Sequence, residues 1–207
     1  MKRLFIVSLS CLLFCSAALG QNDATDEQKF LNLIAKAYQL ILEEKYDDAL
    51  KLCDEAAKMR PTDNRPYAMS GLAHLEQWKL EEASALLEIA TKFSPKNPVL
   101  HFYKARADRF NNDRDKALVS VREALKLKSD YAEAYLLLGE LLTEPSERRA
   151  AFQKAVSLDP GLPTSYSYFG MKIDGKFKDI KAAEEVYRTV IEADPNNTQG
   201  RGRLGRL

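Results

Sequence analysis

The sequence predicts an all-α fold built from about five helix-turn-helix repeats that stack into a solenoid. The first observation is a spacing of about 34 residues, which is typical of arrays of paired helices. Three series of small residues keep this spacing: Ala37, Gly71, Ala105 and Gly139; Ala49, Ala83 and Ala117; and Ala56, Ala90 and Ala124. The second observation is that a proline closes each of the first two repeats, at Pro61 and Pro95. Each repeat has two amphipathic helices, which can bury their apolar stripes only by stacking on neighbouring repeats.

The small residues and prolines divide the chain into predicted units at 30–63, 64–97, 98–131, 132–162 and 163–197. The spacing falls once to 31 residues, from Gly139 to Gly170 (170 − 139). A short turn between the two helices of that unit explains the change, and Pro145 is predicted to lie in the first turn of its second helix. Residues 196–207 are predicted to form a partial sixth repeat or a frayed tail, and Asn196 begins an N-glycosylation pattern.

The fourth unit has the clearest repeat pattern. It contains Tyr135-Leu-Leu-Leu-Gly139, then Ala151-Phe152-Gln-Lys-Ala155, then Leu158-Asp-Pro160. This order of aromatic or Leu, Gly or Ala, Ala, aromatic, Ala and Pro resembles the tetratricopeptide repeat (TPR) family. The resemblance covers roughly residues 30–195 and implies a TPR-type right-handed α-solenoid.

The pattern also has departures and constrained positions. Lys36, Lys104 and Asp108 stand where the family usually has an apolar residue, so we expect the first and third units to pack less tightly. Glycine inside a helix costs up to about 1 kcal/mol relative to alanine. We therefore interpret Gly71, Gly139 and Gly170 as sites where a neighbouring helix comes very close. Cys53 lies on the apolar side of its predicted helix, in register with Leu87 and Val121, and is expected to be a buried packing thiol.

The N-terminus predicts the compartment. Lys2 and Arg3 precede an apolar run at 4–19 that ends in small residues, a pattern typical of a secretory signal peptide at 1–20. A polar leader at 21–29 follows. We expect the signal to be cleaved and the protein to be secreted or periplasmic. The alternative is an uncleaved anchor, although the run is short for a membrane span of about 20 residues.

The overall charge argues against two classes of partner. Without the signal the chain has 29 basic and 30 acidic residues, a net charge of 29 − 30 = −1. A balance so near zero disfavours nucleic acid or an acidic membrane as the main partner. The predicted partners are proteins or peptides.

Catalytic and metal-binding motifs are missing from the sequence. It has no Cys or His cluster with metal spacing, no Gly-rich phosphate loop and no nucleophile elbow. The two histidines, His74 and His101, occupy positions where the repeat has packing residues, which favours a structural role. We therefore expect a protein without enzymatic activity, cofactor or metal.

A candidate binding surface follows from the family resemblance, which implies that the first helix of each unit lines a concave face. Helical spacing then selects one side of each helix. The candidate peptide groove comprises Tyr38, Leu72, Leu75, Phe102, Arg106, Arg109, Leu136, Glu140 and Met171. It passes from apolar through basic to acidic, which suits a peptide whose acidic middle lies near Arg106 and Arg109. Alternatively, the two arginines pair with Glu133 or Glu140 and only hold the surface together.

The first predicted helix gives a second candidate surface, because it is apolar almost all round and no unit precedes it. Such a patch commonly marks an interface. The candidate interface residues are Leu31, Ile34 and Ile41, and the occupant is a partner, a second copy of the chain or the polar leader.

These patterns together predict a non-catalytic protein-protein interaction scaffold or adaptor outside the cytoplasm, in a cell-envelope or secretion assembly. Two alternatives stay open. One is an accessory subunit of an enzyme complex, and the other is a structural element that self-associates through its first helix.

Overall fold

A computed structural model describes residues 21–159, together with Glu184, Arg188, 191–192, 201–202 and Gly205. Within residues 21–159 the chain forms eight helices and no strands, so the predicted all-α class is confirmed there. The helices are α1 (Gln21–Leu42), α2 (Tyr46–Met59), α3 (Asn64–Glu76), α4 (Leu80–Phe93), α5 (Pro98–Phe110), α6 (Arg114–Leu127), α7 (Ala132–Leu141) and α8 (Pro145–Leu158). The predicted signal peptide, Gly170, Met171 and Asn196 lie outside the described residues, as does most of the fifth unit.

The helices belong to two compact bodies, which meet in sequence between Ser120 and Val121. In the N-terminal body each helix from α1 to α4 packs on the next one in sequence, and α1 also contacts α3 while α3 contacts α5. The first helices of successive repeats are therefore neighbours. In the C-terminal body α7 packs on α8.

The core of the N-terminal body follows the predicted apolar stripes. On α1 the fully or almost fully buried residues are Phe30, Ile34, Ala37 and Ile41, spaced three or four apart. They pack with Cys53 and the small residues of α2, and with α3. Cys53 is 1% exposed, which confirms the buried thiol.

Two glycines lie where another helix comes too close for a side chain. A Cβ on Gly71 would lie 2.7 Å from Cγ of Leu87. A Cβ on Gly139 would overlap the ring carbons of Phe152, which is fully buried. The close-approach interpretation is confirmed at both positions.

The turns that end α1, α3 and α5 share one backbone motif. Glu44, Trp78 and Asn112, spaced 34 residues apart, each have a φ of 62°. In the first turn the amide of Glu44 bonds to the carbonyl of Ile41, and the amide of Lys45 bonds to that of Leu40. The other two turns repeat both bonds. This is the Schellman motif, whose left-handed residue is usually glycine.

The unit with the 31-residue spacing differs in its first helix. We expected a short turn, but the link after α7 has three residues, as does the link after α5. Helix α7 has 10 residues whereas α5 has 13, so the helix itself is shorter by 13 − 10 = 3 residues. In place of the left-handed turn, the Arg148 side chain donates two hydrogen bonds to the carbonyl of Leu142, at 3.2 and 3.1 Å. Pro145 is the first residue of α8, as predicted.

One side-chain bond recurs at the junctions between repeats. The hydroxyl of Tyr67 donates to the carbonyl of Pro61 at 2.8 Å. The residue 34 positions later, His101, makes the equivalent contact from Nε2 to the carbonyl of Pro95, also at 2.8 Å. Because a carbonyl only accepts, Nε2 must carry a proton. His101 thus has the structural role expected for it.

The two polar departures in the third unit pair with each other. Nζ of Lys104 lies 2.7 Å from Oδ2 of Asp108, and the hydroxyl of Ser84 on α4 donates to Oδ1 at 2.5 Å. The Asp108 side chain is only 2% exposed and that of Lys104 is 12% exposed. The expected looser packing is therefore wrong for Asp108. Lys36, by contrast, is exposed on α1.

Candidate functional site

Helix α5 carries the two arginines of the predicted groove, and both lie against aromatic rings. The guanidinium carbon of Arg106 is 5.9 Å from the ring centroid of Phe102 and 5.6 Å from that of Tyr103. The guanidinium of Arg109 lies 5.1 Å from the Phe110 ring. Both arginines are half-buried. Cation-π contact restrains each guanidinium against its aromatic neighbour.

Trp78 extends this surface and was missed by the sequence reasoning. It lies in the turn between α3 and α4, is 39% exposed, and its ring centroid is 5.0 Å from that of Phe110. A sequence signal was available, because the only tryptophan of the chain stands 34 residues from Glu44 and Asn112, where a helix-ending glycine is usual.

Four predicted groove residues are instead core residues. Leu72 is 8% exposed, Leu75 is 4% exposed and Phe102 is 5% exposed, all within the N-terminal body. Leu136, at 1%, packs with Phe152 in the C-terminal body. The first helices of successive repeats pack on one another as well as on the second helices. This contact buries side chains that helical spacing alone assigns to an open surface. Of the predicted groove, Tyr38, Arg106, Arg109 and Glu140 are partly exposed.

The apolar end of the predicted groove begins at Tyr38 on α1. This side chain packs against the core of the N-terminal body, and burial raises the pKa of its hydroxyl. The exposed residue one turn further along α1 is Leu42, at 46%.

The candidate interface on α1 also lies elsewhere than expected. Ile34 is 5% exposed and Ile41 is 8% exposed, so both belong to the core, and Leu31 is half-buried. These residues face α2 and α3, and the side of α1 that the described residues leave open is a different one. It forms a shallow groove of about 440 Å³ with α2, lined in part by Leu33 and Leu52.

Where α1 and α3 meet, a cluster of side chains has as many negative as positive charges. The guanidinium carbons of Arg60 and Arg65 both lie 4.6 Å from the centroid of the Phe30 ring. Arg60 pairs with Glu27, and Arg65 pairs with Asp63 at 2.7 Å. Burial raises the pKa of the Asp63 carboxyl, but the hydrogen bonds from Arg65 outweigh it and hold that pKa below its usual value. Each arginine here has its own carboxylate, so this cluster links repeats structurally.

Among the described residues, few side chains are suited to catalysis. Among them, no group of three or more His, Cys, Asp or Glu side chains could hold a metal ion. Burial raises the pKa of the Cys53 thiol to about 11, so the thiolate is scarce at neutral pH. Burial lowers the pKa of His74, with a further contribution from Lys79. None of the described helices is long and apolar enough to cross a membrane.

Comparison with known proteins identifies the class. A family model for the tetratricopeptide repeat matches residues 175–197, within the fifth predicted unit. Among solved structures, the fold is similar to that of YrrB, described as a TPR protein with an unusual peptide-binding site. The TM-score is 0.60 at 21% identity, over 92% of this chain and 100% of that one. The chain is similar to tetratricopeptide repeat proteins, and its fold class is the predicted TPR-type α-solenoid.

Two further proteins contain a similar region within a longer chain. Sperm-associated antigen 1 of Homo sapiens is 25% identical in an alignment that covers 91% of this chain but 22% of that protein. A Thermobaculum terrenum O-GlcNAc transferase mutant has a TM-score of 0.61 at 18% identity, over 68% of this chain and 27% of that one. The chain thus spans about a quarter of the length of each.

Proposed function

We propose that the protein is a non-catalytic adaptor that works outside the cytoplasm and binds a peptide segment or a partner subunit on its first helices. The TPR fold supports a role as a protein-protein interaction scaffold. The finer proposal depends on one observation: α5 presents two half-buried guanidinium groups held against aromatic rings.

Aromatic residues and arginine are the side chains most often responsible for binding energy at protein interfaces. Tyr38 adds a partly exposed phenol on α1, and Arg106 and Arg109 add two positive charges on α5. An acidic peptide that also carries apolar side chains fits this combination.

The proposed compartment is supported by the N-terminal pattern at 1–20, and a cell-envelope or secretion assembly is the corresponding setting. Its test is the intact mass of the protein purified from its native host. A mass that begins at Gln21, recovered from the extracytoplasmic fraction, supports the proposal. A mass that includes Met1 in the cytoplasmic fraction refutes it.

Charge reversal tests the binding proposal. Arg106→Glu with Arg109→Glu should abolish recovery of the native partner after crosslinking in the host. The matched control is Lys58→Glu with Lys96→Glu, which makes the same charge change at two exposed lysines and should leave recovery intact.

The same variants distinguish binding from the alternative of a structural pairing with Glu133 or Glu140. If the arginines only hold the surface together, the reversal should lower the melting temperature. A lower melting temperature with unchanged recovery of the partner would overturn the proposal.

Self-association is a second candidate function, favoured by the groove between α1 and α2. Leu33 lines that groove and is half-buried, so Leu33→Glu is a suitable probe. A mass from light scattering that falls to that of a monomer in the variant supports self-association. A monomeric mass for both proteins excludes it.

A further inference from the structure

Trp78 occupies a backbone conformation that its side chain disfavours. Its φ of 62° lies in the left-handed region, where a Cβ crowds the backbone and which glycine adopts without that crowding. The equivalent turns have Glu44 and Asn112, and asparagine tolerates this conformation best of the three. The turn itself therefore does not require an aromatic residue.

The Trp78 ring is one half of an aromatic pair at the surface of the N-terminal body. Its centroid lies 5.0 Å from that of the Phe110 ring, and the two ring planes are tilted by 59°. Trp78 remains 39% exposed and Phe110 is half-buried. The aromatic pair of Trp78 and Phe110 therefore offers a ligand an exposed indole with a second, inclined ring beside it.

The indole N–H of Trp78 is a donor that the described residues leave without a protein acceptor. A second exposed pair, Tyr67 and Phe93, has its ring centroids 5.5 Å apart, but there the Tyr67 hydroxyl already donates to the carbonyl of Pro61. The indole nitrogen donates only. A ligand that fits the Trp78 pair therefore has an apolar surface and a hydrogen-bond acceptor.

Charge around the aromatic pair is almost balanced. Residues 74–82 and 106–114 have four basic side chains, including the exposed Lys79 next to Trp78, and five acidic ones, a net charge of 4 − 5 = −1. Two of the acidic residues, Glu81 and Glu82, follow Trp78 in the first turn of α4. Neither an acidic nor a basic ligand is selected by this balance, so an uncharged one fits best.

We infer that the aromatic pair of Trp78 and Phe110 binds an uncharged, proline-rich segment of a partner protein in the polyproline II conformation. Proline-rich segments dock on aromatic surfaces, and their backbone carbonyls have no internal hydrogen bonds, so one of them accepts from the indole N–H. This inference deepens the proposed function, on which it rests, because it names the partner chemistry and a residue outside the predicted groove.

A direct assay is available because all tryptophan fluorescence of the full chain comes from Trp78. The probe is a capped peptide of Pro-Pro-Ala triplets, about three polyproline II turns long. It should shift the emission to shorter wavelength in a saturable manner as the indole loses water, and added salt should not weaken binding, since no ion pair is involved. A peptide of Gly-Ser-Ala triplets of the same length should leave the emission unchanged.

A second probe distinguishes peptide from carbohydrate, because sugar rings also stack on exposed aromatic side chains. A chito-oligosaccharide is titrated in the same assay and should not shift the emission. A saturable shift with the oligosaccharide and none with the proline peptide would overturn the inference.

Variants separate a binding role from a structural one, with the anisotropy of a labelled proline peptide as the readout. Trp78→Gly should weaken binding at least about tenfold and leave the melting temperature unchanged or higher, since glycine suits this φ. Trp78→Phe keeps a ring but lacks the donor, so its affinity should lie between those of the original protein and Trp78→Gly. Phe93→Ala removes a different exposed ring (41%) and should leave binding unchanged.

Absence of saturable binding of the proline peptide, or equal affinity in Trp78→Gly, would also overturn the inference. Its failure is distinguishable from failure of the proposed function. If native partner recovery depends on Arg106 and Arg109 while the proline peptide does not bind, the adaptor function stands and this site does not. If recovery is independent of both arginines, the proposed function itself fails.

Discussion

Replacement of Lys104 by methionine should destabilise the protein far more than loss of a surface charge would. The Asp108 carboxylate has two bonds, one from Lys104 at 2.7 Å and one from Ser84 at 2.5 Å. In the variant, Oδ2 of a side chain that is 2% exposed loses its cation. Removal of one partner of a buried ion pair typically costs about 3–5 kcal/mol, whereas exposed pairs contribute about 0–1 kcal/mol.

The Lys104 side chain is itself 12% exposed, so we expect the lower end of that range, about 3 kcal/mol. For a chain of this size 1 kcal/mol corresponds to about 2–4 °C, so the melting temperature should fall by about 6–12 °C. Urea unfolding followed by circular dichroism gives the free energy directly. A loss of stability below about 1 kcal/mol is the size expected for an exposed ion pair. It would refute the interpretation that burial makes this ion pair important for stability.

The triple variant Lys104→Met, Asp108→Leu and Ser84→Ala is the matched control. It replaces the whole polar cluster with apolar side chains, and such replacements are often neutral or stabilising. Its stability should return to within about 1 kcal/mol of the original protein. If the triple variant is as unstable as Lys104→Met alone, the cost lies in packing and not in an unpaired charge.

Three further predictions follow from packing, backbone strain and burial. Gly139→Leu should cost about 3 kcal/mol of stability, the upper end of the range for overpacking, because a fully buried ring fills the space; an unchanged urea midpoint would contradict this. Glu44→Gly should stabilise the protein by about 1 kcal/mol in the same assay, because the residue has a φ of 62°; a lower midpoint would show that this turn is not strained. The third prediction uses a chain in which Cys11 and Cys15 are replaced by serine. At pH 8 Cys53 should react with a thiol reagent about 100-fold more slowly in the folded chain than in the unfolded chain, since the pKa of its thiol rises from 9.0 to about 11 on folding. Equal rates would mean that the thiol is accessible.

The sequence predictions were correct at positions where the residue type has one clear physical explanation. A glycine inside a regular helix implies close approach, and Gly71 and Gly139 meet Leu87 and Phe152 as that argument requires. A cysteine on an apolar stripe implies burial, and Cys53 is buried. A proline at a helix start needs no backbone donor, and Pro145 begins α8.

The sequence predictions failed where pairing or burial depends on two residues that are far apart in the sequence. Asp108 looked like a packing defect because Ser84, 24 residues earlier, gives no sign in sequence that it will supply a hydrogen bond. Leu72 and Phe102 were assigned to an open surface because helical spacing does not show how closely first helices pack on each other. The contact between Trp78 and Phe110 was missed for the same reason, since the two residues stand 110 − 78 = 32 positions apart in the sequence.

The bonds from Tyr67 and His101 to the prolines of the preceding repeats have a consequence for acid conditions. In each bond a side-chain O–H or N–H donates a hydrogen bond to a backbone carbonyl, which has no proton of its own to lose. The bond therefore persists as long as the donor keeps its hydrogen. A phenol O–H donates to a carbonyl, and an imidazole N–H at Nε2 donates whether or not the other ring nitrogen carries a hydrogen. The two junctions between hairpins should therefore keep these hydrogen bonds through any acidification that the rest of the fold survives.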